Sequence, residues 1–218
     1  MLKLLPLVLG LALETSARAQ APRILYISRE FWKPGHEAAL NRIEAEAART
    51  CIGLGVPHAY LGIESLTGSK EVWYINGFSS PEELAQVTEA YSKKPELLAV
   101  MHRFAQQRDE FKSQPNSEGS ATYRPELSRG AEWKMGHERF LVIAVTKGNS
   151  HGDGSVFETQ DGVRFVVTAA KTRAEADGKL SAAGPDAKIF AVRPEFSMPT
   201  AEWVARDPSF WDSGAQKR

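Results

Sequence analysis

The sequence predicts an α+β fold built from one structural unit carried twice, and three observations say so. Arg124-Pro125-Glu126-Leu127-Ser128 followed by Ala131-Glu132-Trp133 returns as Arg193-Pro194-Glu195-Phe196-Ser197 followed by Ala201-Glu202-Trp203. Trp73-Tyr74-Ile75 is matched by Phe165-Val166-Val167, and Ser80-x-x-Glu83 by Thr172-x-x-Glu175, a second helix-start signal. Self-similarity of this kind marks a supersecondary unit that buries its apolar face against its own copy.

Arg23 to Trp32 is rich in Ile, Tyr, Phe and Trp and alternates, which predicts a strand, broken at Lys33-Pro34-Gly35. From His36, the apolar residues Leu40, Ile43, Ala47 and Cys51 recur at helical spacing, with Glu37, Asn41, Arg42, Glu44 and Glu46 on other faces, until Gly53 and Gly55 stop the helix. His58 to Leu66 and Glu71 to Phe78 flank Thr67-Gly68-Ser69-Lys70 and read as a hairpin. Ser80-Pro81-Glu82-Glu83 is a capping box with proline at the first helical position. The helix it opens carries Leu84, Val87 and Tyr91, is interrupted before Pro95, and resumes with Leu97, Met101, Phe104 and Phe111 as its buried stripe. Ser113 to Ser120 reads as a polar loop into the first Arg-Pro-Glu segment. The order is strand, helix, strand, strand, helix, strand.

The second unit starts with a strand from Arg139 to Lys147 and continues with a hairpin from Val156 to Ala169, folded at Asp161-Gly162. Its helix, Arg173 to Ala183, is short, so the offset between copies falls from 92 residues at Trp73 and Phe165 to 69 at the Arg-Pro-Glu segments. The first helix of the unit is missing. Only Gly148 to Gly154 separate the two strands, a span of roughly 25 Å at full stretch. The linker is expected to return without a helix, leaving part of the second sheet uncovered or covered by the segment around Trp203, Phe210 and Trp211. A plain hairpin is the alternative.

Residues 1–19 have the composition of a secretory signal: Lys3, an apolar run from Leu4 to Leu13, and small residues ending at Ala19. Its ten apolar residues fall short of the roughly 20 needed to span a bilayer. The expected organisation is a signal over 1–19, a first half over 20–133, a shortened second half over 134–212 and a tail over 213–218. A secreted or periplasmic location follows, with no membrane attachment after cleavage.

Taking Lys3 and Arg18 from 27 basic residues, and Glu14 from 27 acidic ones, leaves 25 and 26, a nearly neutral chain. No basic stripe for nucleic acid is present. The single Cys51 cannot close an internal disulfide and fits a small buried side chain.

The strand and helix order is that of a ferredoxin-like unit. The Phe31-Trp32-Lys33-Pro34-Gly35-His36 junction resembles the Lys-Pro-Gly turn that opens the first helix in the dimeric alpha-beta barrel superfamily, whose NIPSNAP-like and antibiotic-biosynthesis-monooxygenase-like members are most similar in layout. The resemblance covers residues 23 to 133 directly and 134 to 212 through the repeat. It implies antiparallel sheets of tandem ferredoxin-like units closing one barrel within one chain, the second unit lacking its first helix. That superfamily includes monooxygenases, isomerases, dehydratases, haem enzymes and members without assigned activity, so fold alone chooses no reaction.

Period-two alternation sorts the strands into faces. Leu25, Ile27, Phe31, Ala59, Leu61, Ile63, Trp73 and Ile75 form one set, expected beneath the helices. Tyr26, Ser28, Glu30, Trp32, His58, Tyr60, Glu64, Tyr74, Asn76 and Phe78 form the other, expected to line the barrel. A concave aromatic wall with a few polar groups is the usual form of a small-molecule site. The candidate ligand-binding residues are therefore Tyr26, Glu30, His58, Tyr60, Glu64, Tyr74 and Asn76, and a polar sheet face that is merely wet is the plainer reading. His58 is the best candidate for proton transfer, oriented by Glu30 or Glu64; His102 and Arg103 are secondary. His36 is expected in solvent, and His137, His151 and Asp153 lack paired ligand spacing, so neither a metal nor a cofactor is expected. The function expected is a barrel that binds a small, partly aromatic molecule and oxidises or isomerises it without a cofactor. The alternative is a non-catalytic binding or assembly module, in which a homo-oligomer forms.

Overall fold

The computed structural model describes residues 21–148 and 153–212. The expected signal over 1–19, residues 149–152 of the linker and the tail over 213–218 lie outside the described residues.

Eight strands close into one antiparallel barrel: β1 (Ile24–Trp32), β2 (Leu61–Ser65), β3 (Glu71–Phe78), β4 (Lys112–Tyr123), β5 (Phe140–Lys147), β6 (Ser155–Thr159), β7 (Val163–Ala170) and β8 (Ala187–Val192). Around the barrel the order is β1-β3-β2-β8-β5-β7-β6-β4. Each half therefore runs fourth, first, third, second: β4-β1-β3-β2, then β8-β5-β7-β6. Helices α1 (Glu37–Gly53), α2 (Pro81–Ser92) and α3 (Pro95–Asp109) belong to the first half, and α4 (Arg173–Ala183) alone to the second. A 3-10 turn (Pro194–Phe196), α5 (Ala201–Arg206) and α6 (Pro208–Trp211) complete the chain.

Local signals place most of these elements. Ser80 Oγ accepts from the Glu83 backbone N–H and Thr172 Oγ from that of Glu175, while the Glu83 and Glu175 carboxylates reach back to the N–H of Ser79 and Lys171. The reach is one residue beyond the cap at both helix starts. Gly162 takes the left-handed conformation, φ +79°, that the β6–β7 turn requires.

Ser113 to Ser120 is strand and not loop, since β4 pairs with β1 along almost its whole length. Its serines, Gly119 and Pro115 give it little intrinsic strand preference. It forms because β1 offers a full unpaired edge. Between Gln114 and Ser117 the register slips, so Pro115 and Asn116 together oppose Glu30. Such a bulge is where a strand tolerates proline, which has no N–H to give the ladder.

The linker expectation is also revised. β5 and β6 both pair with β7 and not with each other, so the plain hairpin is excluded. The C-terminal segment does not cover the outer face of the second sheet: Trp203 and Trp211 join the barrel's interior cluster. That outer face is closed by α4, where Ala176, Leu180 and Ala183 meet Val142, Ala144, Val166 and Ile189. Small side chains let one short helix sit close, and among the described residues no large apolar side chain is exposed there. The exposed large apolar residues, Ile52, Leu66, Leu98 and Met101, all belong to the first half.

The main correction concerns the two faces of the sheet. The alternation is sorted correctly, but the sets are exchanged: Leu25, Ile27, Leu61, Ile63, Trp73 and Ile75 fill the barrel, together with Trp133, Leu141, Ile143, Phe157, Phe165 and Phe190. Of the set expected inside, Tyr26, Ser28, Glu30, Tyr60, Tyr74 and Asn76 lie outside, on the face that α1 and α3 cover. A single sheet under helices puts its apolar face beneath them, but a closed barrel buries both faces. An eight-stranded interior is just wide enough to be filled by side chains, and the more apolar set takes it.

The two Arg-Pro-Glu-x-Ser segments form matching clasps. The Arg124 N–H donates to the Val156 carbonyl and Ser128 Oγ accepts from the Val156 N–H. The Arg193 N–H donates to the Gly62 carbonyl and Ser197 Oγ accepts from the Gly62 N–H. Each arginine pairs with a glutamate two residues on and with Glu158 or Glu64 of the opposite half. Each half thus fastens the other. Gly62 is required, because a Cβ there would lie 2.7 Å from Phe196 O. Ser197→Ala strands the buried Gly62 N–H and is expected to cost about 1–3 kcal/mol in chemical denaturation.

Candidate functional site

A cavity of about 400 Å³ lies between the outer face of the first sheet and helices α1 and α3. The register of the strands assembles its floor. Ser28 stands opposite Tyr74 on one side and Glu118 on the other, and Tyr26 opposite Asn76, so side chains from β1, β3 and β4 form two rows. Tyr60, bridged to Met198 just before β2, continues the floor.

The roof comes from helical spacing. Glu44, Ala47, Ala48 and Cys51 form one stripe of α1, and Met101, Phe104, Ala105 and Arg108 one stripe of α3. Alanine at 47, 48 and 105 leaves the space that larger residues would fill. Tyr91 of α2 and His102 complete the wall, and the exposed Met101 stands at the mouth.

An ionic cluster is buried in this wall. Arg108 Nη1 donates to both oxygens of Glu44 at 2.8 and 2.9 Å, and its Nη2 lies 3.3 Å from Glu30. Both carboxylates are 2% exposed. Glu30 otherwise receives only the Trp32 Nε1 and Asn116 Nδ2 donors, each at 3.4 Å. Burial raises the Glu44 pKa and the charge of Glu30 adds to that, against the lowering effect of Arg108. Despite its own burial, Arg108 is held even more firmly protonated by Glu44.

Four tyrosines face the same space, and all stay protonated well above neutral pH. Burial raises Tyr60 and Tyr74 strongly. Tyr91 is pushed up to about 12 by burial, and Tyr26 to about 12 by burial and its hydrogen bond to Glu118. The Tyr74 hydroxyl lies beside Glu44 without a hydrogen bond of ordinary geometry, and Asn116 Oδ1 and Arg108 Nε are likewise buried and unpartnered. The Cys51 thiol is raised by burial, which keeps it a poor nucleophile. The wall offers neutral phenol donors, a carboxyl with altered acidity and several unused hydrogen-bonding atoms.

Of the candidate residues, Tyr26, Glu30, Tyr60, Tyr74 and Asn76 line this cavity. His58 and Glu64 do not. His58 packs on Phe78 with ring centroids 4.6 Å apart, its Nδ1 2.8 Å from the Ala59 carbonyl oxygen and its Nε2 3.6 Å from Glu83. It precedes β2 and turns to the start of α2, so neither Glu30 nor Glu64 orients it. Glu64 pairs with Arg193 and, at 3.9 Å, Lys70. His102 lines the cavity, whereas Arg103 lies over the Phe104 ring. Exposed His36 packs at a tilt against Phe111. His151 lies outside the described residues. Among the described residues, no three His, Cys, Asp or Glu side chains gather where a metal could bind, and no helix is long and apolar enough to cross a membrane.

Sequence reasoning missed Glu44, Arg108 and Asn116. Glu44 falls on the buried stripe at Leu40, Ala47, Ala48 and Cys51, and Arg108 on that of Leu97, Met101 and Phe104. A charge at the register of an apolar stripe was the available signal. Asn116 carried none, since the bulge that aims it is set by pairing.

No protein-family model matches this chain, and no curated protein is similar to it in sequence. Among solved structures it is similar to a "Putative monooxygenase" of Fusobacterium nucleatum subsp. nucleatum, with a TM-score of 0.48 and 11% identity over 79% of this chain and 93% of that one. It is likewise similar to an anthrone oxidase-like protein, with a TM-score of 0.48 and 10% identity over 78% and 91% of the two chains. A mutant chlorite dismutase from Candidatus Nitrospira defluvii in complex with cyanide gives a TM-score of 0.41 and 6% identity over 80% and 92%. These are likenesses of layout. Neither a NIPSNAP-like nor an antibiotic-biosynthesis-monooxygenase-like assignment follows from them, and no residue role is carried over.

Proposed function

We propose that this protein binds a small, partly aromatic organic molecule in the cavity beneath α1 and α3. The observation that supports this most is the concave aromatic wall of Tyr26, Tyr60, Tyr74 and Tyr91 around a buried Glu30–Arg108–Glu44 cluster. A volume near 400 Å³ falls within the roughly 300–1,000 Å³ usual for such sites. Aromatic rings supply contact area, and the protonated phenols supply oriented donors.

A cofactor-independent oxidation or isomerisation is the finer reading. It is favoured by Glu44, whose raised pKa suits a group that exchanges a proton with a bound substrate. In that reading Glu44 takes the part first expected of His58, and Tyr74 beside it is the hydrogen-bond donor to the substrate. The matching strand orders and the paired clasps support a tandem duplication of a ferredoxin-like half. Export through the segment 1–19 belongs to the same proposal.

Thermal-shift screening of the full chain tests the binding site. A ligand at a hundred times its dissociation constant should add about 2.7 kcal/mol of stability. Ala105→Trp, which fills the cavity, should abolish that gain, and His58→Ala should leave it intact. A gain that survives Ala105→Trp and disappears with His58→Ala would place the ligand elsewhere.

A further inference from the structure

The chemistry of the wall selects the charge of its ligand, and this rests on the reading of the cavity as a ligand site. Glu30 is the buried carboxylate there that is held most loosely. A carboxylate held by charged partners ordinarily has contacts of about 2.7–2.9 Å, yet those of Glu30 are 3.3, 3.4 and 3.4 Å although the residue is 2% exposed. Arg108 directs its short contacts to Glu44. One guanidinium thus serves two buried carboxylates, and a third carboxylate, Glu118, stands at the edge of the cavity. Apart from His102, Arg108 is the sole basic side chain among the lining residues described.

The remaining wall carries the same electrostatic sign. Aromatic faces are negative and attract cations. Asn116 Oδ1 is a buried acceptor without a partner, and the Tyr74 hydroxyl, whose proton faces Glu44, keeps its oxygen lone pairs free; the one unpaired buried donor of the wall, Arg108 Nε, sits on the guanidinium already turned to Glu44 and Glu30. With Glu30, the Asn116 and Tyr74 oxygens make three acceptors, and a primary ammonium has three N–H donors. An anionic ligand would face three carboxylates, and an apolar one would leave Glu30 with its long contacts alone.

We propose that the cavity takes a protonated primary amine carried on an aromatic body, its ammonium against Glu30 and its ring among the tyrosines. Three indoles of nearly equal shape test the charge: tryptamine (cation), tryptophol (neutral) and indole-3-propionate (anion), titrated calorimetrically into the full chain. Tryptamine should bind about ten- to hundredfold more tightly than tryptophol, the difference expected of one charge-assisted contact, and indole-3-propionate most weakly. Glu30→Gln should bring the ratio of tryptamine to tryptophol affinity close to one, with its fold verified by circular dichroism. Asn116→Ala, on the mostly exposed β4, should narrow the same ratio while leaving the Arg108 contacts to Glu30 and Glu44 in place; it removes only the 3.4 Å contact of Asn116 to Glu30. Equal affinities for the three, or a preference that survives both variants, would overturn the charge selection and leave a ligand site standing. Binding by none of them, together with no ligand lost on Ala105→Trp in the thermal-shift screen, would remove the site and the inference with it.

Discussion

Replacing Arg108 by Met is expected to destabilise the protein by about 3–5 kcal/mol, the usual cost of removing one partner from a buried ion cluster. The guanidinium side chain is 13% exposed and is the shared cation for Glu44 and Glu30. Without it, two buried carboxylates lie near each other with no counter-charge. Methionine keeps most of the volume, so packing loss contributes little. Adding Glu30→Gln and Glu44→Gln to Arg108→Met should recover most of the loss, because a neutral cluster has no charge to desolvate. Denaturant titration of the two variants reads both effects. A loss under 1 kcal/mol for the single variant would mean that water reaches the cluster.

The same cluster sets a pH dependence with a defined sign. The folded-state pKa of Glu44 lies above its unfolded value, so between the two the folded protein holds the proton more tightly. Stability from this residue is present at low pH and is lost as pH rises through the raised pKa. The groups facing Glu44 are Arg108, Glu30, Tyr74, Cys51 and Tyr60. Glu71 contributes the opposite slope: despite burial, Lys188, Trp73 and Arg29 hold its pKa low, so its stabilisation is lost as pH falls. The difference between the wild-type and Glu44→Gln curves isolates the Glu44 contribution, which should decline with rising pH.

The second large effect is at Trp73. Trp73→Ala should cost about 3–5 kcal/mol, as expected for emptying a close-packed interior, while leaving the affinity of cavity ligands unchanged. Trp73 is 1% exposed and packs edge-on to Phe165, with ring centroids 5.8 Å apart. Its indole N–H donates to Glu71 at 2.8 Å, and the Arg29 guanidinium lies 4.6 Å from its ring. The neighbouring Tyr74 points to the opposite face. Tyr74→Phe keeps the ring and removes a hydroxyl whose one contact, to Glu44, falls short of ordinary hydrogen-bond geometry, so it should cost far less stability than Trp73→Ala and should weaken ligand binding. Two adjacent residues thus give opposite signatures. If Trp73→Ala were stable but unable to bind, the barrel interior would hold the ligand.

Much of the fold was legible because its signals are local. The capping residues Ser80 and Thr172, the proline that starts α3, the Asp161-Gly162 turn and the alternation of β1 and β3 each act over a few residues. The strand β4 was not legible, because its polar sequence becomes strand only by pairing with β1. The inside and outside of the sheet were not legible either. Alternation separates Trp73 from Tyr74, but which face closes inward depends on the second sheet meeting the first. Five of the seven candidate residues meet in one cavity because they share a face, whichever way that face points. His58 escaped because the chain before β2 is not yet a strand and obeys no alternation. Glu44 and Arg108 escaped because, in a sequence, a charge on a helix reads as solvated until its partner is seen on the other helix.

A filled barrel leaves the ligand site outside the sheet. A crystal soaked with 5-bromotryptamine tests this directly, since bromine is located by its anomalous scattering. The expected peak lies between α1 and α3, above Tyr74 and Tyr60. A peak within the barrel, among Trp73, Phe157 and Phe190, would place the ligand in the interior and rule out the site beneath the helices.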